Sequence, residues 1–180
     1  AQIRADGFGM GAAGNPELAA NFAWRDASIS HVKNGIYGEM WAAAMVAAAF
    51  VCDDAAQIIE AGLGQIPKGC RLARDVRGVL SWHRQGWSYD QASEKIHAQW
   101  DENNWHDWTH TNSNASVVAL GLLWGEGDFE NSVCRAVQAC FDTDCNGATV
   151  GSILGARLGR AALPEKWTAP LGNRLKTGVA

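Results

Sequence analysis

Residues 142–147 read DTDCNG, two acids standing two apart just before a glycine- and alanine-rich stretch. Asp142, Asp144, Asn146 and Gly147 match the opening of an EF-hand calcium loop, in which oxygen ligands at alternate positions precede an obligatory glycine. The match ends there. The ninth loop position is Val150, and the twelfth, which should be a bidentate Glu, is Ile153. Calcium takes about six to eight oxygens, so the hexapeptide is a poor calcium site.

Two carboxylates spaced i, i+2 diverge within a helix but converge at a loop-to-helix junction. Left unneutralised, they raise each other's pKa. A hard cation such as Mg²⁺ or Mn²⁺ removes that repulsion and needs only one or two protein carboxylates, water or substrate oxygens completing its shell. The competing reading makes one acid a helix cap and leaves the other in solvent. Downstream, Gly147, Gly151, Gly155 and Gly159 recur every four residues on one helix face, which predicts the close approach of a neighbouring helix.

The elements that must position these acids read as helices nearly throughout, Ala-rich segments alternating with Gly/Asn/Asp punctuation and no period-2 run. Asn15-Pro16-Glu17 opens a helix to about Ser30, with a capping side chain, proline in the first turn and an acid behind it. Asn34-Gly35 precedes a second through about Cys52, Asp53 or Asp54 caps a third to about Gly62–Gly64, and a fourth covers about Cys70 to Gln85. Ser88 and Gln91 have capping-box spacing and open a fifth through about Trp100. The stretch 101–114, DENNWHDWTHTNSN, is polar and aperiodic and reads as a loop. It carries His106, His110, Asn112 and Asn114, which are either site-lining residues or plain turn formers. Ala115–Trp124, a helix capped by Asp128 to about Cys140, and a last one from Asp144 or Asn146 to about Ala162 complete an all-α chain.

Composition narrows the function classes. With 15 basic and 19 acidic side chains the net charge is −4, and no basic cluster predicts a nucleic-acid or anionic-membrane surface. The longest apolar run, 40–51, is too short to span a bilayer. Five cysteines without a C-x-x-C pair read as reduced residues of a cytoplasmic protein. The glycines of GFGMGAAG (7–14) follow no strand and do not support a dinucleotide fold. His83 and His97 read as packing or surface residues, and His31 follows Ser30 at a helix end, where the dipole stabilises a cation. A chain that opens at Ala1 without Met, already inside a patterned segment, is expected to be processed or part of a longer product.

Four segments carry a resemblance: QIRADGFG (2–9), GNPELAANFAWRDASISHVKNGIYGEMWAAAMVAAAF (14–50), WTHTNSNAS (108–116) and FDTDCNGATVGSILGA (141–156). Together they resemble the ADP-ribosylglycohydrolase family, whose members remove ADP-ribose from arginine or serine side chains and from nitrogenase reductase. The resemblance implies an all-α, orthogonal multi-helix bundle around a two-metal site, Mg²⁺ or Mn²⁺, that grips the ribose of an ADP-ribosylated substrate. It places Asp142 and Asp144 on the metal, with Cys145 at the next position, where the family usually has Thr. A thiol is a soft partner for a hard ion. Gln2, Arg4 and Asp6 fall in the family's glycine-containing loop around the phosphates and distal ribose, and His31 near its adenosine end.

The family's early Gly-Asp-x-x-Gly stretch and its Ser/Thr-x-Asp-Asp-Thr motif do not occur in these 180 residues; Asp53-Asp54 in CDDAA stands in another context. The expectation is one domain over 1–180, the C-terminal portion of a member and an incomplete bundle. A partner chain or self-association should then cover the truncated face. No catalytic base is assignable, and the polypeptide alone is expected to turn over poorly. The alternative is a non-catalytic, ADP-ribose-binding or structural member.

Overall fold

The computed structural model describes residues 2–174 and 176–178, and among them it contains α-helices and short 3-10 turns but no strand. After a 3-10 turn at Gln2–Arg4 come α1 (Asp6–Gly11), α2 (Pro16–Ser30), α3 (Asn34–Ala48), α4 (Ala55–Leu63), α5 (Arg71–Arg84) and α6 (Tyr89–His97). They are followed by α7 (Trp105–Trp108), α8 (Thr111–Trp124), α9 (Phe129–Gln138), α10 (Thr143–Leu158) and the short α11 (Glu165–Thr168). No helix among the described residues is long and apolar enough to cross a membrane.

Local chemistry explains most of the helix starts. Asn15 Oδ1 accepts the N–H of Leu18 at 3.1 Å ahead of Pro16, and Asp54 and Asp128 each accept a first-turn N–H at 2.8 Å. Ser88 and Gln91 close the reciprocal capping box. The central helices α3 and α8 are buried on nearly every face, so neither shows an amphipathic stripe. Around them Trp41, Met45, Ile59, Leu72, Leu120 and Leu154 form the main core. A second cluster of small residues, including Ala5, Ala19, Ala23, Ala43 and Ala47, lets α1 and α2 lie close on α3.

Several boundaries differ from the sequence reading. Helix α3 stops at Ala48 instead of Cys52, and α10 stops at Leu158 instead of Ala162, because Gly159 leaves the helix at φ 68°. The stretch 101–114 is no continuous loop. Asn104 caps α7, and His110 Nδ1 accepts the N–H of Asn112 at 3.1 Å to start α8 four residues before the apolar run. Residues 2–11 are a 3-10 turn and a helix where the resemblance implied a loop. Of the four-residue glycine series, Gly147 and Gly151 face Val137, Phe129 and Val133 of α9, as close packing requires. Gly155 instead borders an open apolar groove beside Met10 and Phe50.

Candidate functional site

Asp142 is the residue at which α10 begins, and its carboxylate closes no capping hydrogen bond, although the Cys145 N–H lies near it. The carboxylate therefore remains available. Burial, and then the neighbouring Asp144 carboxylate, push the Asp142 carboxyl above its ordinary range. The two acids converge as a loop-to-helix junction allows, and Asp144 is exposed.

The junction is held from outside. Cys140 and Phe141 both take positive φ, 65° and 58°, a region non-glycine residues avoid. Tertiary bonds compensate: Trp108 Nε1 donates to the Phe141 carbonyl at 2.9 Å, and Asn114 Oδ1 accepts the Asp142 N–H at 3.1 Å. The same Oδ1 accepts Nδ2 of Asn146 at 2.8 Å, while Asn114 Nδ2 donates to the carbonyls of Trp108 and His110. Asn114 was one of two readings in the polar stretch, and the structure makes it a buried clamp on the acidic pair. The only signal for it in the sequence is a pair of amides beside an apolar run.

A cavity of about 60 Å³ opens at the pair, lined by Gln2, Thr111, Asn114, Asp142 and Cys145 among others. Gln2 is 4 % exposed, and neither atom of its amide has a hydrogen-bond partner. Thr111 Oγ1, on the same wall, is buried and unpartnered too. Buried polar atoms are rarely left so, and these stand together beside the acidic pair. Asp6 comes in from α1: its Oδ2 accepts Ser152 Oγ at 2.8 Å, its Oδ1 is buried without a partner, and burial raises its pKa. Cys145 is 4 % exposed, and burial, followed by Asp142 and with Asp144 and Asp6 adding to it, pushes its thiol up to about 12. It is a neutral thiol at physiological pH.

Arg4 and His31 do not reach this cavity. The Arg4 guanidinium forks onto Asp26 and Ser30, Nη2 to Ser30 Oγ at 2.8 Å, and its Nε lies 3.8 Å from Glu39. Ser30 Oγ in turn meets Nδ1 of His31 at 2.8 Å. The Ser30 hydroxyl thus joins the guanidinium of Arg4 to the imidazole of His31. Burial, first among several causes, lowers the His31 pKa. Glu39, the residue just before the long apolar run, gave no signal in the sequence. It is wholly buried, its oxygens have no hydrogen-bond partner, and burial together with the Asp26 carboxylate raises its pKa to about 8 against the pull of Arg4.

His31 faces a second, larger cleft of about 380 Å³, which shares Thr109 and Thr111 with the acidic cavity. His83 and His97 take packing roles, the first edge-on to Trp124 and the second 3.1 Å from the Ala139 carbonyl.

The acidic pair fits a hard divalent cation: two oxygen donors that repel each other, at an uncapped helix start. Among the described residues no group of three or more His, Cys, Asp or Glu side chains gathers closely enough to hold a metal alone, so the rest of a coordination shell would be non-protein oxygen or lie outside these residues. Neither curated proteins nor solved structures yield a match to the chain. The family model described as ADP-ribosylglycohydrolase matches residues 1–179, essentially the whole chain. With its all-helical fold, the chain belongs to the ADP-ribosylglycohydrolase family.

Proposed function

We propose that this chain, acting as one domain, serves the metal-dependent hydrolysis of the bond between ADP-ribose and an acceptor, with Asp142 and Asp144 holding Mg²⁺ or Mn²⁺. The observation that carries it is the convergence of these two carboxylates at the start of α10, where neither closes a capping bond and the Asp142 carboxyl is pushed up. A cation bound there would fix ribose hydroxyls and stabilise charge as the glycosidic bond breaks.

The chain's own side chains then have separable tasks. The Gln2 amide offers one acceptor and two donors to sugar hydroxyls from a position that otherwise leaves them unpaired. Asp6 offers its unpaired Oδ1 while Ser152 orients the carboxylate through Oδ2. Arg4, through Ser30, holds His31 at the edge of the wider cleft. Cys145 contributes a neutral sulfur beside the acids.

Titrating Mn²⁺ into the purified chain and following its electron paramagnetic resonance tests the reading. Saturable binding is expected, with Asp142→Asn and Asp144→Asn each losing roughly tenfold or more in affinity. Equal affinity in both variants would overturn the assignment. Because no group of three or more His, Cys, Asp or Glu side chains gathers to hold a metal among the described residues, the 180-residue polypeptide is expected to release ADP-ribose from ADP-ribosyl-arginine weakly or not at all. Fast Mg²⁺-dependent release would overturn that part.

A further inference from the structure

The peptide that joins Phe141 to Asp142 is held on both sides by residues 33 and 28 positions earlier in the chain. Its carbonyl accepts Nε1 of Trp108 at 2.9 Å, and its N–H donates to Oδ1 of Asn114 at 3.1 Å. A third bond closes the frame, because Nδ2 of the same Asn114 donates to the Trp108 carbonyl at 2.9 Å. Both polar groups of one peptide unit are therefore fixed by the corner between α7 and α8. The Phe141 carbonyl also accepts the N–H of Thr143 at 3.1 Å, so one oxygen links the indole to the first residue of α10.

This peptide follows two residues at positive φ, Cys140 and Phe141, which a free turn would relax toward negative φ. Relaxation at Phe141 would swing the peptide, and the Asp142 side chain with it, out of its present direction. The bond that opposes this comes from an unexpected place. Helix α7 is a single turn with no buried residue, and Trp108 is 45 % exposed. A half-exposed ring contributes less by burial than a core one, so the specific contact of this side chain is its inward N–H.

We propose that Trp108 is a positioning residue for the acidic pair: its indole N–H holds the strained turn in the form that leaves the Asp142 carboxylate uncapped and turned to Asp144. The consequence for a bound cation rests on the function proposed above; the positioning itself does not. With the indole bond lost, Phe141 relaxes and the Asp142 N–H leaves Asn114. The carboxylate then turns to cap its own helix through the Cys145 N–H, near which it already lies. Ligand or cap, the two roles open to this acid, are thus decided from α7.

Amide hydrogen exchange of the 180-residue chain in EDTA tests the positioning without metal. Exchange at the Asp142 N–H should be about tenfold faster in Trp108→Phe, which keeps a ring and loses the donor, the size of one hydrogen bond. Trp108→His separates donor from ring, because an imidazole carries Nε2 where the indole carries Nε1. At about pH 6, where imidazole is largely protonated on both nitrogens, it should restore most of the protection although it is smaller than phenylalanine. A packing role would rank the two variants the other way. Trp105→Phe, the same change on the same turn at a ring 80 % exposed, should exchange as the parent does. Titration with Mn²⁺, followed by electron paramagnetic resonance, reads the consequence: Trp108→Phe should lose about fivefold to tenfold in affinity and Trp105→Phe none. Unchanged exchange at Asp142 in Trp108→Phe, or faster exchange in Trp108→His than in Trp108→Phe, would overturn the proposal. So would Mn²⁺ affinity equal to that of a parent that binds. If the parent binds no Mn²⁺, the function proposed above fails, and the exchange rates still decide the role of Trp108.

Discussion

Asn114 Oδ1 accepts the backbone N–H of Asp142 at 3.1 Å, tying the first residue of the acidic pair to a helix that begins 31 residues earlier, at Thr111. The link spans from α8 to α10 and holds two residues of unfavourable φ just ahead of it. The acidic pair owes its position to this bond as much as to its own sequence.

Replacing Asn114 by Ala strips partners from the Asp142 N–H, the Asn146 amide and the carbonyl of Trp108 in one step. A buried group left unpaired costs about 1–3 kcal/mol, and these act as a unit, so a loss of about 2–4 kcal/mol in urea unfolding is expected. Mn²⁺ affinity should fall with it. A change below about 0.5 kcal/mol, the size of an ordinary surface substitution, would show that the clamp does not hold the junction.

Glu39 makes stability pH-dependent in a direction opposite to most acids. Its carboxyl rises from 4.5 unfolded to about 8 folded, so between these values the folded chain keeps a proton that the unfolded chain has released. Its favourable contribution is complete below 4.5 and is lost as pH rises toward 8. The slope is up to about 1.4 kcal/mol per pH unit. Urea unfolding at several pH values should show the parent weakening relative to Glu39→Gln across this window. Parallel curves for the two proteins would refute the shift.

Two glycines of α1 should respond with opposite sign to the same change. A Cβ on Gly9 would stand 2.5 Å from Val46 Cβ and 2.7 Å from the Ala43 carbonyl, so Gly9→Ala forces α1 off α3 and costs about 1–3 kcal/mol. Gly11 has nothing within 4 Å, and alanine there should add a few tenths to about 1 kcal/mol through helix propensity. Thermal unfolding of the pair decides it. Because α1 carries Asp6, Gly9→Ala should also loosen the Asp6–Ser152 bond.

Cys145 stands beside the acids as a thiol that holds its proton up to about 12. Cys145→Thr exchanges it for a hydroxyl of similar size and a harder oxygen, and should tighten Mn²⁺ binding by roughly tenfold, about 1.4 kcal/mol. Calorimetry of the two proteins measures the difference, and weaker binding by the threonine form would count against a metal contact at this position.

Helices whose ends are local events follow from the chain's own residues. Asn15-Pro16, Asp54, Ser88 with Gln91, and Asp128 each cap a helix through an atom three residues away, so their chemistry is complete within a few residues of chain. The Asp142–Asp144 pair was legible for the same reason, two acids at a junction that the flanking pattern announces. Tertiary structure alone decided which polar residues join them. Gln2 and Arg4 lie two apart in one turn, yet Gln2 enters the acidic cavity and Arg4 turns to Asp26 and Glu39. Asn114 became a clamp because its partners stand 28 and 32 residues away, and 101–114 gained helices because His110 found a cap to make and Trp108 a distant carbonyl. The wider cleft gathers residues 33, 71 and 105 from separate elements. Capping energies are local and survive in any context, whereas burial, desolvation and the sum of helix dipoles depend on which distant segment packs alongside.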